Sequence, residues 1–177
     1  MLTERPYKKA PDPARIRELY RSAFPKEEQM PWGLMKFLSR FPGIDLTGYY
    51  RADAFCGMTF TVCHEQILFV LFLAVDAHSR GRGNGSAILT HLKASHPGKT
   101  ILLNVELLEE DAPNLAQRIR RMAFYKKNGF YDTGYNIREV GGWFRVLATD
   151  PRPDMEAYRR VFGKMSLGLW RPPIKKV

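Results

Sequence analysis

Apolar residues recur along this chain in two rhythms, and the switch between them marks out its elements. After Asp12-Pro13, a capping residue followed by a proline suited to a first helical turn, Ile16, Leu19, Tyr20 and Ala23 fall on one face of a helix that stops at Phe24-Pro25. A second helix starts at Pro31, with Leu34, Phe37 and Leu38 as its expected apolar face, and ends near Phe41-Pro42-Gly43; the polar loop Lys26–Gln29 separates the two. The texture then becomes aromatic and β-branched. Leu46–Arg51, Phe55–Cys63 and Ile67–Val75 read as strands, joined by breaks too short for crossovers and therefore antiparallel. Ile67–Val75 is apolar at every position, which predicts burial on both faces.

Past Val75 the helical rhythm returns. A glycine-rich run, Ser79–Ser86, leads into a helix over Ala87–Ser95, where Ile88, Leu89 and Leu92 keep helical spacing. Thr100–Glu106 is a further strand, and Pro113–Asn128 a helix closed by Gly129. Tyr131–Arg138 and Trp143–Thr149 form a pair joined through Gly141-Gly142. Met155–Phe162 makes a last helix, and Lys164–Val177 a tail containing proline and lysine. Strands mixed with helices in this order predict an α/β domain with a mixed sheet. It should occupy 1–149, with 150–177 as a C-terminal helix and basic tail packed on the same domain.

Composition narrows the class. The longest apolar run has nine residues, Ile67–Val75, well short of the roughly 20 that cross a bilayer, so no membrane association is expected and a cytoplasmic location is the default. Cys56 and Cys63 lie seven positions apart in one extended stretch, which places them about 23 Å apart, beyond disulfide reach. His64, His78, His91 and His96 lack ligand partners at useful spacing, so no metal is expected. The net charge of +10 sits at the ends: residues 1–24 carry six basic and three acidic side chains, and 152–177 seven and two. Such ends suit either a solvated surface or an anionic partner; a solvated surface, without nucleic acid, is the expectation.

The chemistry concentrates at Leu73-Ala74-Val75 followed by Arg80-Gly81-Arg82-Gly83-Asn84-Gly85 and a helix. A strand that runs into a glycine-rich turn at a helix N-terminus aims several backbone N–H groups at one point, where the positive end of the helix dipole adds to them. Glycine keeps a Cβ out of the way and permits positive φ, while Arg80 and Arg82 add charge. A pyrophosphate is the natural ligand. The spacing matches neither the dinucleotide fingerprint nor a P-loop.

Arg80-x-x-Gly83-x-Gly85 resembles the pyrophosphate loop of the GCN5-related N-acetyltransferase (GNAT) family, and Phe124-Tyr125-Lys126-Lys127-Asn128-Gly129-Phe130 resembles that family's second signature, with a strand between them. The resemblance implies a mostly antiparallel mixed sheet with a V-shaped splay, flanked by helices, and an enzyme that moves acetyl from acetyl-coenzyme A to an amine. It further implies that Leu73 and Val75 offer backbone groups to the pantetheine arm, that Arg80, Gly81, Arg82, Gly83, Asn84, Gly85 and Ser86 hold the pyrophosphate, and that Tyr125 serves as general acid for the departing thiolate. Where many family members carry an asparagine seven residues before the tyrosine, this chain has Arg118, with Asn114 a turn earlier; Arg118, Arg121 and Tyr125 share a helix face that is expected to look toward the cofactor.

An attacking amine must be neutral, so a base is required. Glu106, at a strand end, is the first candidate, directly or through water. Glu27, Glu28 and Trp32 fall where the family builds its acceptor pocket. The acidic group Glu106, Glu109, Glu110 and Asp111 would favour a cationic small amine or peptide amine. Trp143, Phe144 and Trp170 could supply the contact of a homodimer. The competing class is a non-catalytic module on the same fold that senses coenzyme A or binds RNA.

Overall fold

The computed structural model describes all 177 residues, Met1–Val177. The chain forms two compact units, neither continuous in sequence: unit 1 is Met1–Cys63 with Val70–Pro97, and unit 2 is His64–Phe69 with Gly98–Val177. The division falls inside one strand.

In unit 1, α1 (Pro13–Ala23) and α2 (Trp32–Leu38) precede the strands β2 (Ile44–Arg51), β3 (Ala54–His64) and β4 (Ile67–Val75), and α3 (Asn84–Ser95) follows them. A strand that the apolar pattern does not reveal, β1 (Leu2–Pro6), pairs antiparallel with β2 from Leu2↔Arg51 to Pro6↔Thr47. Four of its five side chains are exposed, so no period-two signal exists to be read. Ile16, Leu19 and Tyr20 of α1 are buried as the helical rhythm requires. Tyr20 and Phe24 pack edge-on against Phe72 of β4 at 5.0 and 4.8 Å. On α2 the expected apolar face is displaced. Met35 and Leu38 are buried, whereas Leu34 and Phe37 are exposed, because a two-turn helix on a strand meander buries only its i, i+3 edge. Gly57 of β3 permits close packing: a Cβ there would stand 2.7 Å from the Ala74 carbonyl oxygen and 2.8 Å from Ile88 Cδ1.

In unit 2, β5 (Thr100–Glu106), β7 (Gly142–Ala148) and β6 (Tyr131–Glu139) pair antiparallel in that spatial order, and β8 (Ile174–Lys176) adds to β6. The tail thus ends in an edge strand. It follows two prolines and carries two lysines, a composition common at sheet edges and weak as a strand signal. Helix α4 (Leu115–Lys127) begins at Asn114 and closes at Gly129, which has φ +76°. Helix α5 (Met155–Met165) is capped by Asp154, whose carboxylate accepts the Glu156 and Ala157 N–H groups at 2.9 Å. Tyr158 and Phe162 of α5 pack on Phe69 at 5.2 Å each. Arg160 grips Glu65, with Nη2 at 2.6 Å from Oε2. Hydrogen-bonded neighbours run β1-β2-β3-β4 in unit 1 and β5-β7-β6-β8 in unit 2. No helix is long and apolar enough to cross a membrane.

Candidate active site

Strand β4 is not buried on both faces along its whole length. Ile67–Val70 are buried, but beyond them Phe72 and Ala74 stay buried while Leu71, Leu73 and Val75 are half-exposed. The buried set meets α1 through Phe72. The other set leaves an apolar strip that leads straight to the glycine-rich turn.

That turn is built by its own hydrogen bonds. The Asp76 carboxylate accepts the His78 N–H at 3.0 Å, the Arg80 Nε donates to the Val75 carbonyl at 3.3 Å, and the buried Asn84 side chain donates through Nδ2 to the Ser79 carbonyl at 2.9 Å. Gly81 and Gly83 take φ values of +73° and +74°, the left-handed region, where a β-branched residue is strained. Gly83 is the N-cap of α3 and no side chain caps the helix. The first bond of the helical ladder runs from the Ala87 N–H to the Gly83 carbonyl at 3.0 Å, so the amides of Asn84, Gly85 and Ser86 precede it as helix N-terminal donors. A Cβ built on Gly81 or Gly83 meets no heavy atom within 4 Å. Room therefore exists above the donors for a group the protein does not supply. The Asn84 Oδ1 is buried with no partner, an acceptor awaiting a donor. The set fits a diphosphate attached to a hydrogen-bonding, partly apolar arm.

In unit 1 the expected acceptor residues lie apart from one another in character. Glu27 is exposed and Glu28 half-buried in a single 3-10 turn, Lys26–Glu28. Trp32 is half-buried and stacks against Tyr7 and Tyr20 at 5.5 and 5.7 Å. The segment is pinned by the Tyr20 hydroxyl donating to the Met30 carbonyl at 3.0 Å and by the Gln29 Nε2 donating to the Phe24 carbonyl at 2.7 Å.

Unit 2 rearranges the expectations made for α4. Asn114, Arg118 and Arg121 share one helix face, and it meets Glu106. The Glu106 Oε1 accepts from the Asn114 Nδ2 at 3.2 Å and lies 3.8 Å from the Arg118 Nε, while its Oε2 is in a short ion pair with the Arg121 Nη1. Arg118 also donates to the Asn114 Oδ1 at 2.8 Å, the Leu107 carbonyl at 2.6 Å and the Glu109 Oε2 at 3.1 Å. Groups expected to reach a cofactor are thus engaged within the protein. The expected base carries bonds on both oxygens, and two members of the acidic group are neutralised by these arginines. Opposite charges in a partly dry environment find one another before they find solvent.

Tyr125 follows on the same stripe, 8% exposed, with Phe124 and Phe130 rings at 5.2 and 5.8 Å. Burial pushes its phenol up to about 12; the Arg121 cation lowers it and the Glu106 carboxylate raises it, and no hydrogen bond contributes. A network that the sequence does not announce lies on β5. The Asn104 Nδ2 donates to the Tyr158 hydroxyl at 2.7 Å and, in a short bond, to the Glu139 Oε1; the Tyr158 hydroxyl donates to the Asn104 Oδ1 at 3.0 Å. A lone Asn inside Ile-Leu-Leu-Asn-Val was the available signal, because a polar residue amid a buried strand needs partners. No three His, Cys, Asp or Glu side chains converge as a metal site would require.

Residues 46–132 match the family model described as acetyltransferase (GNAT) domain. YjbC of Bacillus subtilis (strain 168), provisionally named an acetyltransferase, is 33% identical over 92 residues, which are 52% of this chain and 43% of that protein. The chain therefore aligns with less than half the length of that curated relative. Among solved structures, a Bacteroides thetaiotaomicron protein assigned to the GNAT family superposes with a TM-score of 0.75 at 20% identity, covering 96% of this chain and 99% of the other. An aminoglycoside 6'-N-acetyltransferase complexed with coenzyme A gives 0.63 at 18% identity, covering 87% and 99%. At these identities the structural likeness concerns the fold.

Proposed function

We propose that the chain, whose residues 46–132 match the acetyltransferase (GNAT) domain model, transfers the acetyl group of acetyl-coenzyme A to a primary amine. The observation that carries the proposal is the turn before α3: an uncapped helix N-terminus, a Gly83 at φ +74°, and open space where its side chain would stand. In this reading the pyrophosphate takes the Asn84, Gly85 and Ser86 amides, with Arg80 and Arg82 adding charge. The half-exposed strip Leu71, Leu73 and Val75 accompanies the pantetheine arm. The nearby solved acetyltransferase bound to coenzyme A acts on an aminoglycoside, in keeping with a polar amine as acceptor.

The chemistry asked of unit 2 is modest. A thiol of pKa about 8.5 is a fair leaving group. Tyr125, with its phenol near 12, holds its proton throughout the physiological range. With burial raising the phenol above its usual value, full transfer of that proton to a thiolate is unfavourable, so Tyr125 donates a hydrogen bond to the developing negative sulfur instead. The base proposed from sequence, Glu106, already accepts bonds from Asn114 and Arg121, which weakens its claim. The amine's proton passes to water, and turnover rises with pH as the neutral amine fraction grows.

Calorimetric titration with acetyl-coenzyme A, followed by a free-thiol turnover screen over diamines, aminoglycosides and short peptides, tests the proposal. Saturable binding with thiol release on at least one amine is expected. Absence of binding at millimolar acetyl-coenzyme A would remove the reading.

A further inference from the structure

The stripe that meets Glu106 has a geometry of its own. Positions 114, 118, 121 and 125 follow at intervals of four, three and four, so they line one side of α4. Helix α4 has little else to hold it. Of its thirteen residues only Met122 and Tyr125 are buried, and its N-cap Asn114 makes no side-chain cap. The connection before it is exposed at Leu108, Glu109, Glu110 and Asp111. The ion pairs supply what the apolar contacts lack. The Glu106 side chain is 13% exposed and Arg118 17%, dry enough for their charges to act at short range. Arg118 also ties the Leu107 carbonyl to the first turn of the helix.

We infer that Glu106 is a positioning residue: through Arg121 it fixes the turn of α4 that carries Tyr125 and sets the electric field at the phenol. This rests on the reading in which Tyr125 serves the departing thiolate. A general base needs a lone pair turned to the amine and a readiness to be protonated. Glu106 instead offers one oxygen to an amide and the other to a guanidinium. The charges felt by Tyr125 are the same two, Arg121 and Glu106, with opposite effects. The rings around it, Phe124 and Phe130, are neutral. Burial keeps the phenol protonated, and the pair adds opposed charges one helical turn from it, with Glu106 offsetting the pull of Arg121.

The test places a ring-fluorinated tyrosine at 125, whose more acidic phenol brings its titration into an accessible range, and follows it by fluorine NMR in the full chain. Glu106→Gln is expected to move the midpoint down, Arg121→Gln to move it up, and Arg121→Lys to return it near the wild-type value. A helix that merely loosens would expose the ring and move both glutamine variants the same way. Shifts in the same direction, or none, would overturn the inference. Should Glu106→Gln fail to fold, the Arg121→Gln and Arg121→Lys pair still decides: an upward shift rescued by lysine supports it, and an unmoved or lowered midpoint refutes it. Calorimetry with acetyl-coenzyme A on the same proteins separates the two claims, since loss of binding in the wild type removes the transferase reading while the midpoints alone judge Glu106.

Discussion

Two pairs of arginines, Arg80 and Arg82 before α3 and Arg118 and Arg121 on α4, look alike in the sequence and meet opposite fates in the structure. The side chains of the first pair stay exposed, and a side-chain bond from the Arg80 Nε to the Val75 carbonyl shapes the turn. The second pair is engaged with Glu106, Glu109, Asn114 and the Leu107 carbonyl. The difference lies in what surrounds them. The turn is made of glycines and backbone donors with no carboxylate in contact with its arginines, so its positive charge remains available to an anion from outside. The α4 stripe faces the end of β5, where a carboxylate waits. A guanidinium's role follows from its nearest anion and not from its place in a motif.

The comparison breaks first at the turn. Gly83→Val places a β-branched residue at φ +74°, a strain of about 1–2 kcal/mol, and puts methyl groups where a phosphate is proposed to sit. Calorimetry is expected to show acetyl-coenzyme A affinity falling by about 100-fold or more, close to 3 kcal/mol, in a chain that still folds. Wild-type affinity in the folded variant would separate the turn from cofactor binding.

At the stripe the expected loss is of stability and not of affinity. Glu106→Ala leaves Arg121, 35% exposed, and Arg118, 17% exposed, without their shared anion. Discounted for this partial exposure, the cost should be about 2 kcal/mol, seen as a lower urea midpoint at unchanged slope. Calorimetric affinity for acetyl-coenzyme A should hold. A fall in affinity with intact stability would mean that the stripe reaches the cofactor after all.

Tyr125→Phe sharpens the contrast from the chemical side. It keeps the ring packing on Phe124 and Phe130 and deletes one hydrogen bond to the developing thiolate, worth about 1.5 kcal/mol or more, so kcat should drop by about tenfold or more with coenzyme A affinity unchanged. Equal kcat in both proteins would take Tyr125 out of the chemistry.

The smallest effect appears in alkali. A phenol whose folded pKa of about 12 exceeds its usual 10 contributes stability that is fully present below pH 10 and is lost as pH rises toward 12, at up to about 1.4 kcal/mol per unit. Other buried tyrosines share this behaviour. The measurement is therefore the difference between wild type and Tyr125→Phe in urea unfolding at pH 9 and pH 11, and the variant should lose less. Identical slopes would place the Tyr125 hydroxyl in water.

How far the fold could be read in advance depended on where each residue's partners lie. Strands β2 to β7 and all five helices are legible from local signals: a buried periodic set such as Ile16, Leu19 and Tyr20 in α1 or Ile88, Leu89 and Leu92 in α3, and start and stop residues such as Pro31 before α2 and Gly129 after α4. Strands β1 and β8 are not, since edge strands are specified by backbone pairing with β2 and β6 and leave most side chains in water. On α2 the buried face, with Met35 in place of Leu34 and Phe37, is not encoded in the pattern because seven residues show too little period to choose a face. On β4 an unbroken apolar run hid a half-exposed strip, for hydrophobicity alone does not distinguish a side chain covered by protein from one left for a ligand.

The sequence by itself determined the turn before α3. Positive φ at Gly81 and Gly83 and an uncapped helix start are local properties of a few consecutive residues, and glycine spacing expresses them directly. It also determined that Arg118, Arg121 and Tyr125 share a face, since helical geometry is local too. Only the tertiary structure decided what that face meets. Glu106 lies fifteen residues from Arg121 in sequence and within ion-pair reach in space. Likewise Asn104 finds Glu139 and Tyr158 across separations of 35 and 54 residues. Charge and hydrogen-bond partners are chosen by proximity after folding, and no pattern along the chain encodes which carboxylate a guanidinium will reach first.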